Sequence, residues 1–334
     1  MATQTATKEK IQATSSSAIP VTVDNFRRAE SDMYFNVTAN KEGGFGKFFH
    51  RRELFSVDNQ TVVRGNRDTV YSSAVFDLDA GPVTITLPDA GKRFMSMMML
   101  NEDQYAFDVT YGAGNYTITR EQAGTRYVLV ALRTLIDPAN PGDLKEVTTL
   151  QDAVKVSQPG GPGKFEVPNW DAVSQKKVRD ALLVLASTIQ DFKHAFGKKE
   201  DVDPVRHLIG TAAGWGGNPD KEATYLNVTP PKNDGKTNYK LVVKDVPVDA
   251  FWSVSVYNKE GYYEKNAQNA YAINNMTATK ETDGSVIIQF GGCDREVTNC
   301  IPIVDGWNYT VRLYRPRPEI VNGKWKFAEP EPVN

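Results

Sequence analysis

Two spacings of apolar residues alternate along this chain. "VTVDNFRRAESDMYFNVTAN" (21–40) repeats at helical spacing through Phe26, Ala29, Met33 and Phe35, with Asp24 or Asn25 as cap. From about residue 60 the period falls to two. "TVYSSAVFDL" sets Val70, Ala74, Phe76 and Leu78 among small polar residues, and "GPVTITLP" alternates Val83, Ile85 and Leu87 with threonines. "RFMSMMMLN" sets Phe94, Ser96, Met98 and Leu100 against Met95, Met97 and Met99, which read as adaptable core filling. "TRYVLVALRT" is apolar on both faces and suits a central strand. Gly, Pro and Asp separate these runs, as in an antiparallel system.

The middle of the chain changes character. "PGGPGKFEVPNWD" is a Gly/Pro-rich linker. "SQKKVRDALLVLASTIQDFKHAFG" predicts a long helix capped by Ser174, with a stripe of Val178, Leu182, Leu185, Ile189, Phe192 and Phe196, ended by Gly197. A second helix is expected from Pro204 to Ala213, capped by Asp203. From Thr224 the period is two again, in "NYKLVVKDVP", "AFWSVSVYN", "SVIIQFGG" and "NYTVRLYRP", with turn chemistry in "NDG" and "TDG". The expected architecture is mainly β: two antiparallel β-sandwich or jelly-roll-like domains joined by a short helical connector. Its parts are a polar N-terminal arm (1–21), an N-terminal β domain (22–165), the connector (166–216) and a C-terminal jelly-roll-like domain (217–334). The arm invites a role in lacing subunits of a homo-oligomer.

The 334 residues balance 39 basic against 41 acidic side chains, a net charge of −2. No basic excess points to nucleic acid or an anionic membrane surface. No apolar run approaches the roughly 18 residues of a membrane span, so no membrane insertion is expected. As written the chain reads as cytoplasmic, or as periplasmic or secreted if a leader was removed. Six Asn-x-Thr sequons, at Asn36, Asn59, Asn115, Asn227, Asn275 and Asn308, fit the Thr and Asn usage of a β-rich chain. Cys293 and Cys300 are close enough for a local disulfide and equally compatible with a reduced pair.

Phosphate loops, dinucleotide fingerprints, nucleophile elbows and zinc-protease motifs are absent from the sequence. His50 sits in a basic cluster and His194 beside Lys193, leaving His207 as the histidine of interest. No metal site and no cofactor are expected. The densest polar group is Asn66, Arg67, Asp68, Thr69 and Tyr71, before a strand. Asn66 and Asp68 can pin the strand start by bonding backbone N–H groups. Alternatively Arg67 offers its fork to a carboxylate while Asp68 and Tyr71 face a cavity. Thr69, Tyr71 and Ser73 share a strand face too polar for a core, so that face meets solvent, a neighbouring subunit or a ligand. Glu102 and Asp103 form either an acid/base pair or a solvated turn. Trp215, Tyr225, Trp252, Tyr257, Tyr262 and Tyr263 could stack a ligand or fill a core, with Trp252 read as core.

"NRDTVYSSAVFDLDAGPVTITLPD", "AFWSVSVYNKEGYYEKNAQNAYAINN", "TDGSVIIQFGG" and "NCIPIVDGWNYTVRLYRP" together resemble the paired domains of unknown function found in tandem in many bacterial proteins. The resemblance spans residues 22–334. The family's Asn-x-Asp-Thr-x-Tyr pattern falls on Asn66, Asp68, Thr69 and Tyr71, and its Phe-Trp-Ser pattern on Phe251, Trp252 and Ser253. Where many relatives have Asn-Trp-Leu-Pro this chain has Asn299, Cys300, Ile301 and Pro302, which removes an indole. The resemblance implies a β-rich N-terminal half and a jelly-roll-like C-terminal half, and no settled activity. Three functions follow. One is binding of a small molecule or saccharide between the β domains by Asn66, Arg67, Asp68, Thr69, Tyr71, Trp215 and Tyr257. Another is cofactor-free acid/base or hydrolytic chemistry by Asp68, Tyr71, Glu102, Asp103 and His207. The third is an oligomeric structural role.

Overall fold

The structure is a computed structural model that describes residues 17–60, 63–138, 140, 142–294 and 297–333. The arm's residues 1–16, on which the subunit-lacing expectation rests, lie outside the described residues. Ile19 forms a bridge with Trp170 and ties the described end of the arm to the connector.

The N-terminal half begins with α1 (Phe26–Asn36), which runs into a π-helical turn over Val37–Lys41. Strands β1 (Phe49–His50), β2 (Thr69–Asp77), β3 (Val83–Leu87), β4 (Met95–Asn101), β5 (Ala106–Tyr111) and β6 (Gly114–Ile118) follow. Then come α2 (Arg120–Ala123), β7 (Tyr127–Leu135), α3 (Asp143–Asp152) and β8 (Lys155–Ser157). One sheet has the order β1-β2-β7-β4-β5 and a second the order β6-β3-β8. Phe76, Ala74, Val128, Val130, Met97 and Met99 of the first pack on Val83, Ile85 and Leu87 of the second. The opposite face of the first sheet carries Val75, Leu129, Met98 and Leu100, covered by Phe35 and Trp215. Methionines therefore fill cores on both faces of β4, as their flexible thioethers suit.

The connector holds α4 (Ala172–Ala186) and α5 (Pro204–Gly214). Asp171, not Ser174, caps α4: its carboxylate accepts from the Ser174 N–H. The helix is shorter than its apolar stripe suggests. Ser187 and Thr188 turn their hydroxyls back onto the carbonyls of Val184 and Leu185 and compete with the helical ladder. Ile189 and Phe192 still pack on Leu182 and Ile209, but from an irregular segment. Asp203 caps α5 through the N–H groups of Val205 and Arg206.

The C-terminal half comprises β9 (Ala223–Val228), β10 (Tyr239–Val243), β11 (Trp252–Tyr257), β12 (Ala272–Asn274), β13 (Val286–Phe290), β14 (Cys300–Ile301), β15 (Asn308–Tyr314), α6 (Pro318–Val321) and β16 (Glu331–Pro332). Sheets of order β12-β11-β15-β9 and β14-β13-β10-β16 face one another. Their shared core contains Leu241, Ile288, Phe290, Trp252, Val254, Trp307, Tyr309, Val311 and Leu313. All pairings in these two sheets are antiparallel except β13 with β14. Cys293 and Cys300 form a disulfide beside that parallel pair.

Ile288 is fully buried in this core, while Lys240, on the neighbouring β10, is exposed. Ile288→Ala should cost about 2–5 kcal/mol in denaturant unfolding, and Lys240→Ala within about 0.5 kcal/mol.

Candidate functional site

Each β unit turns one polar sheet face toward the other. Cross-strand register fixes which residues stand together. On the N-terminal sheet, Tyr71 pairs with Arg133, Arg133 with Ser96, and Ser96 with Tyr111. On the C-terminal sheet, Asn274 pairs with Ser253, Ser253 with Arg312, and Arg312 with Tyr225. Paired residues project from the same face, so two transverse polar rows result.

The segment from Arg64 to Thr69 joins the two faces. Arg312 is buried, and its Nη2 donates to the carbonyls of Arg64 at 2.8 Å and Gly65 at 3.1 Å and to the Tyr257 hydroxyl at 2.6 Å. Its Nη1 donates to Ser255 Oγ at 2.8 Å. The hydroxyls of Tyr257 and Tyr263 also donate to the Gly65 carbonyl, each at 2.7 Å. A Cβ at Gly65 would run into the Phe55 ring, which packs against this position. Burial opposes the charge of Arg312, but the surrounding tyrosines and Asp68 outweigh it and hold the guanidinium protonated.

Asn66 makes the strand-entry turn: its Oδ1 accepts from the Asp68 N–H at 2.8 Å. Its Nδ2 lies 3.1 Å from the hydroxyls of both Tyr71 and Tyr314 and 3.2 Å from Thr69 Oγ1. The turn that pins β2 thus also bonds the C-terminal sheet. Asp68 is buried and accepts from Ser253 Oγ at 2.6 Å. Burial raises its carboxyl pKa against the pull of Arg312, Ser253 and Asn274. Burial also disfavours ionisation of Tyr71, yet the charge of Arg133 and hydrogen bonds from Thr69 and Asn66 outweigh it and lower that phenol. Arg67 turns away: its Nη1 donates to the Phe55 carbonyl and its guanidinium lies over the Tyr271 ring at 5.1 Å.

Glu102, Asp103 and His207 belong to a separate cluster. Glu102 lies six residues beyond Ser96, a rise of roughly 20 Å along an extended chain. The expectation of a solvated turn fails at Glu102, which is buried and accepts from the Tyr127 N–H at 2.9 Å and from Arg28 at 3.4 Å. Asp103 is half-exposed and paired with the same Arg28 at 2.7 Å. His207 is fully buried, stacked on Tyr105, with ring nitrogens 2.8 Å from the Ala195 carbonyl and 3.1 Å from that of Asp103. Burial lowers its pKa. His50 stands 2.7 Å from Ser72 Oγ. Trp215 donates to Ser31 Oγ and stacks on Tyr34, and Tyr257 is spent on Gly65. Glu102 and Asp103 therefore do not converge with Asp68 and Tyr71. Among the described residues no group of three or more His, Cys, Asp or Glu could hold a metal ion, and no helix is long and apolar enough to cross a membrane.

A cleft opens beside the polar junction. Its volume is about 250 Å³, and both units line it: Lys92, Phe94, Met95 and Tyr111 from one, Phe251 and Arg315 from the other. Phe94 meets Phe251 edge-on at 5.2 Å. Arg315 has left-handed backbone, φ 51°, and its guanidinium stands 4.7 Å above the Tyr111 ring. Two backbone bonds hold that conformation, Arg315 N–H to the Glu222 carbonyl and Asp249 N–H to the Arg315 carbonyl. Neither Arg315 nor Lys92 forms an ion pair among the described residues, whereas neighbouring Arg93 is clamped by Asp143 and Glu146. The Tyr111 hydroxyl donates to Glu222 at 2.7 Å. Sequence reasoning missed Arg133, Arg312, Tyr314 and Arg315. The available signal was a lone charged residue, an arginine, in each of two strands, "YVLVALRTL" and "NYTVRLY".

Residues 45–158 match the model "Protein of unknown function (DUF1254)", and residues 226–318 match "Protein of unknown function (DUF1214)". The crystal structure of the VPA0106 protein from Vibrio parahaemolyticus is similar over 93% of this chain and 98% of that one, with a TM-score of 0.73 and 17% identity. An uncharacterized protein from Burkholderia cenocepacia is similar over 93% of this chain and 88% of that one, with a TM-score of 0.51 and 11% identity. These likenesses concern the fold. No curated protein matches the chain.

Two outcomes test this description. Arg312→Met should cost about 3–5 kcal/mol in denaturant unfolding, because it strands the Arg64 carbonyl and takes from buried Asp68 the charge that opposes it. Asp32, buried beneath Arg28, has its pKa raised to about 6, by burial first, against a hydrogen bond from Trp170, with the charge of Glu102 adding. The unfolded chain releases that proton near pH 4, so stability falls as pH rises from about 4 to about 6, by on the order of 3 kcal/mol. Asp32→Asn should flatten the stability–pH curve across that window and leave it unchanged below.

Proposed function

The chain belongs to the proteins that carry these two domains of unknown function in tandem, and from that premise we propose that it binds a small organic anion in the cleft between its β units. One observation carries this reading: a concave space walled by aromatic rings from both units, with the unpaired Arg315 guanidinium at its rim. Apolar walls with few converging polar groups are the usual form of a small-molecule site. The volume of about 250 Å³ lies a little below the range for drug-sized ligands, so the occupant is small. Phe94, Phe251 and Tyr111 suit a flat apolar body, and Arg315 with Lys92 suits a carboxylate or similar anion.

A saccharide is the other occupant of a polar and aromatic groove. The cleft supports it less, because its lining carboxylates are engaged, Asp249 with Arg317 and Asp89 with the Gly91 N–H, while Arg315 and Lys92 form no ion pair among the described residues. Acid/base chemistry by Asp68, Glu102 and Asp103 also has less support, since each carboxylate already accepts hydrogen bonds from its own neighbours.

Benzoate-class aromatic carboxylates should raise the melting temperature, as ligands that bind only the folded state do. Neutral aromatic alcohols and monosaccharides should raise it much less. Arg315→Gln should melt with the wild type and lose at least tenfold in affinity for benzoate-class carboxylates by calorimetry. Equal stabilisation by neutral analogues, or an unchanged affinity in Arg315→Gln, would sink the reading.

A further inference from the structure

Arg133 stands in the middle of the N-terminal polar row. Its guanidinium carbon lies 5.5 Å from the centre of the Tyr71 ring. Tyr225 and Tyr314 of the C-terminal sheet are close enough to act on its charge. Its Nη2 reaches the Gly216 carbonyl at a long 3.4 Å, and the Tyr71 hydroxyl is its hydrogen-bond neighbour. Its Nη1 is buried and has no hydrogen-bond partner. No carboxylate comes within 4 Å of it among the described residues. Other buried or half-buried arginines here differ: Arg312 has four oxygen acceptors, and Arg93, Arg126 and Arg179 are ion-paired.

A guanidinium brings five N–H donors. Taking them out of water for a long bond to Gly216 and the Tyr71 hydroxyl, with Nη1 bare, is costly, and an apolar side chain of similar length would pack there without that cost. The surroundings complement an anion instead. Tyr71 accepts from Asn66, which leaves its phenolic proton as a donor. Tyr314 likewise accepts from Asn66, and Tyr225 accepts from Asn218. The row is reachable from solvent, since Tyr71, Ser73, Ala131 and Arg133 are half-buried and Tyr225 is 41% exposed. We propose that Arg133 is the receptor for the carboxylate group of a small molecule, held by the guanidinium fork and by the hydroxyls of Tyr71, Tyr225 and Tyr314. Planar fork and planar carboxylate match in a bidentate arrangement that a lysine cannot reproduce. This site uses a different cation from the cleft at Arg315, and Tyr111, which stands in the row and lines the cleft, is common to both. It does not depend on the cleft being occupied.

The test uses sodium formate and sodium acetate against sodium chloride at equal ionic strength, read by thermal unfolding and calorimetry. Formate or acetate should raise the melting temperature of the wild type and of Arg315→Gln above the chloride value. Arg133→Met should melt at or above the wild type in chloride and lose the response. Arg133→Lys keeps the charge without the fork, and its apparent affinity should fall at least tenfold; it decides the question if the methionine variant does not fold. The proposal is overturned by a wild type that does not distinguish carboxylates from chloride. It is equally overturned by a response that persists in Arg133→Met or Arg133→Lys, or by one that Arg315→Gln abolishes, which would assign the anion to the cleft.

Discussion

One buried guanidinium holds the two halves of this protein in register. Arg312 projects from the C-terminal sheet and binds the carbonyls of Arg64 and Gly65, which belong to the other half. Those carbonyls precede β2, the strand that carries Asn66, Thr69 and Tyr71 into the junction. Charge-assisted bonds to backbone in a water-poor setting are strong and directional. Gly65 leaves room for the Phe55 ring beside it, and Tyr257 from the same sheet and Tyr263 from the loop after β11 complete the cradle. The position of the strand entry, and with it both polar rows, follows from this contact.

The junction contains two arginines with opposite states. Arg312 is saturated with acceptors and acts as a rivet. Arg133 stands across the junction with a bare buried nitrogen. Desolvation penalises both charges alike, so packing alone accounts for the first and not for the second. Arg315 adds a third case, an exposed cation in left-handed backbone above an aromatic ring. Backbone strain of this kind persists where surrounding contacts over-determine it. Here the Glu222 and Asp249 backbone bonds do so.

Most of the β architecture was legible in the alternation of apolar residues, because burial of one strand face writes a period of two into the sequence. The helices were less so. Nothing in the pattern marked α3, whose buried residues are mixed Asp143, Val147 and Gln151 and whose Asp143 serves to clamp Arg93. The stripe past Ala186 is apolar for packing, yet local hydroxyl bonding ends the helix there. At the site, the cluster Asn66–Tyr71 was visible as a concentration of turn formers and polar strand residues. Its partners were not, since Arg133 and Arg312 each look like a single charged residue in an otherwise uncharged strand. The acid pair Glu102 and Asp103 looked solvated because adjacency in sequence hides that β7 and α1 close over one of them.

The sequence by itself determined the β-rich plan, the apolar cores on both sides of the Met-rich strand, and the turn at Asn66, since each depends on local spacing and local hydrogen bonding. Only the tertiary structure decided what the polar strand face looks at. That face meets a second polar sheet from the other half of the chain, and the cleft forms where the two fail to close. Cross-strand register and the packing of two separate sheets are long-range facts. A period of two says which residues share a face, and it carries no information about what will be placed against it.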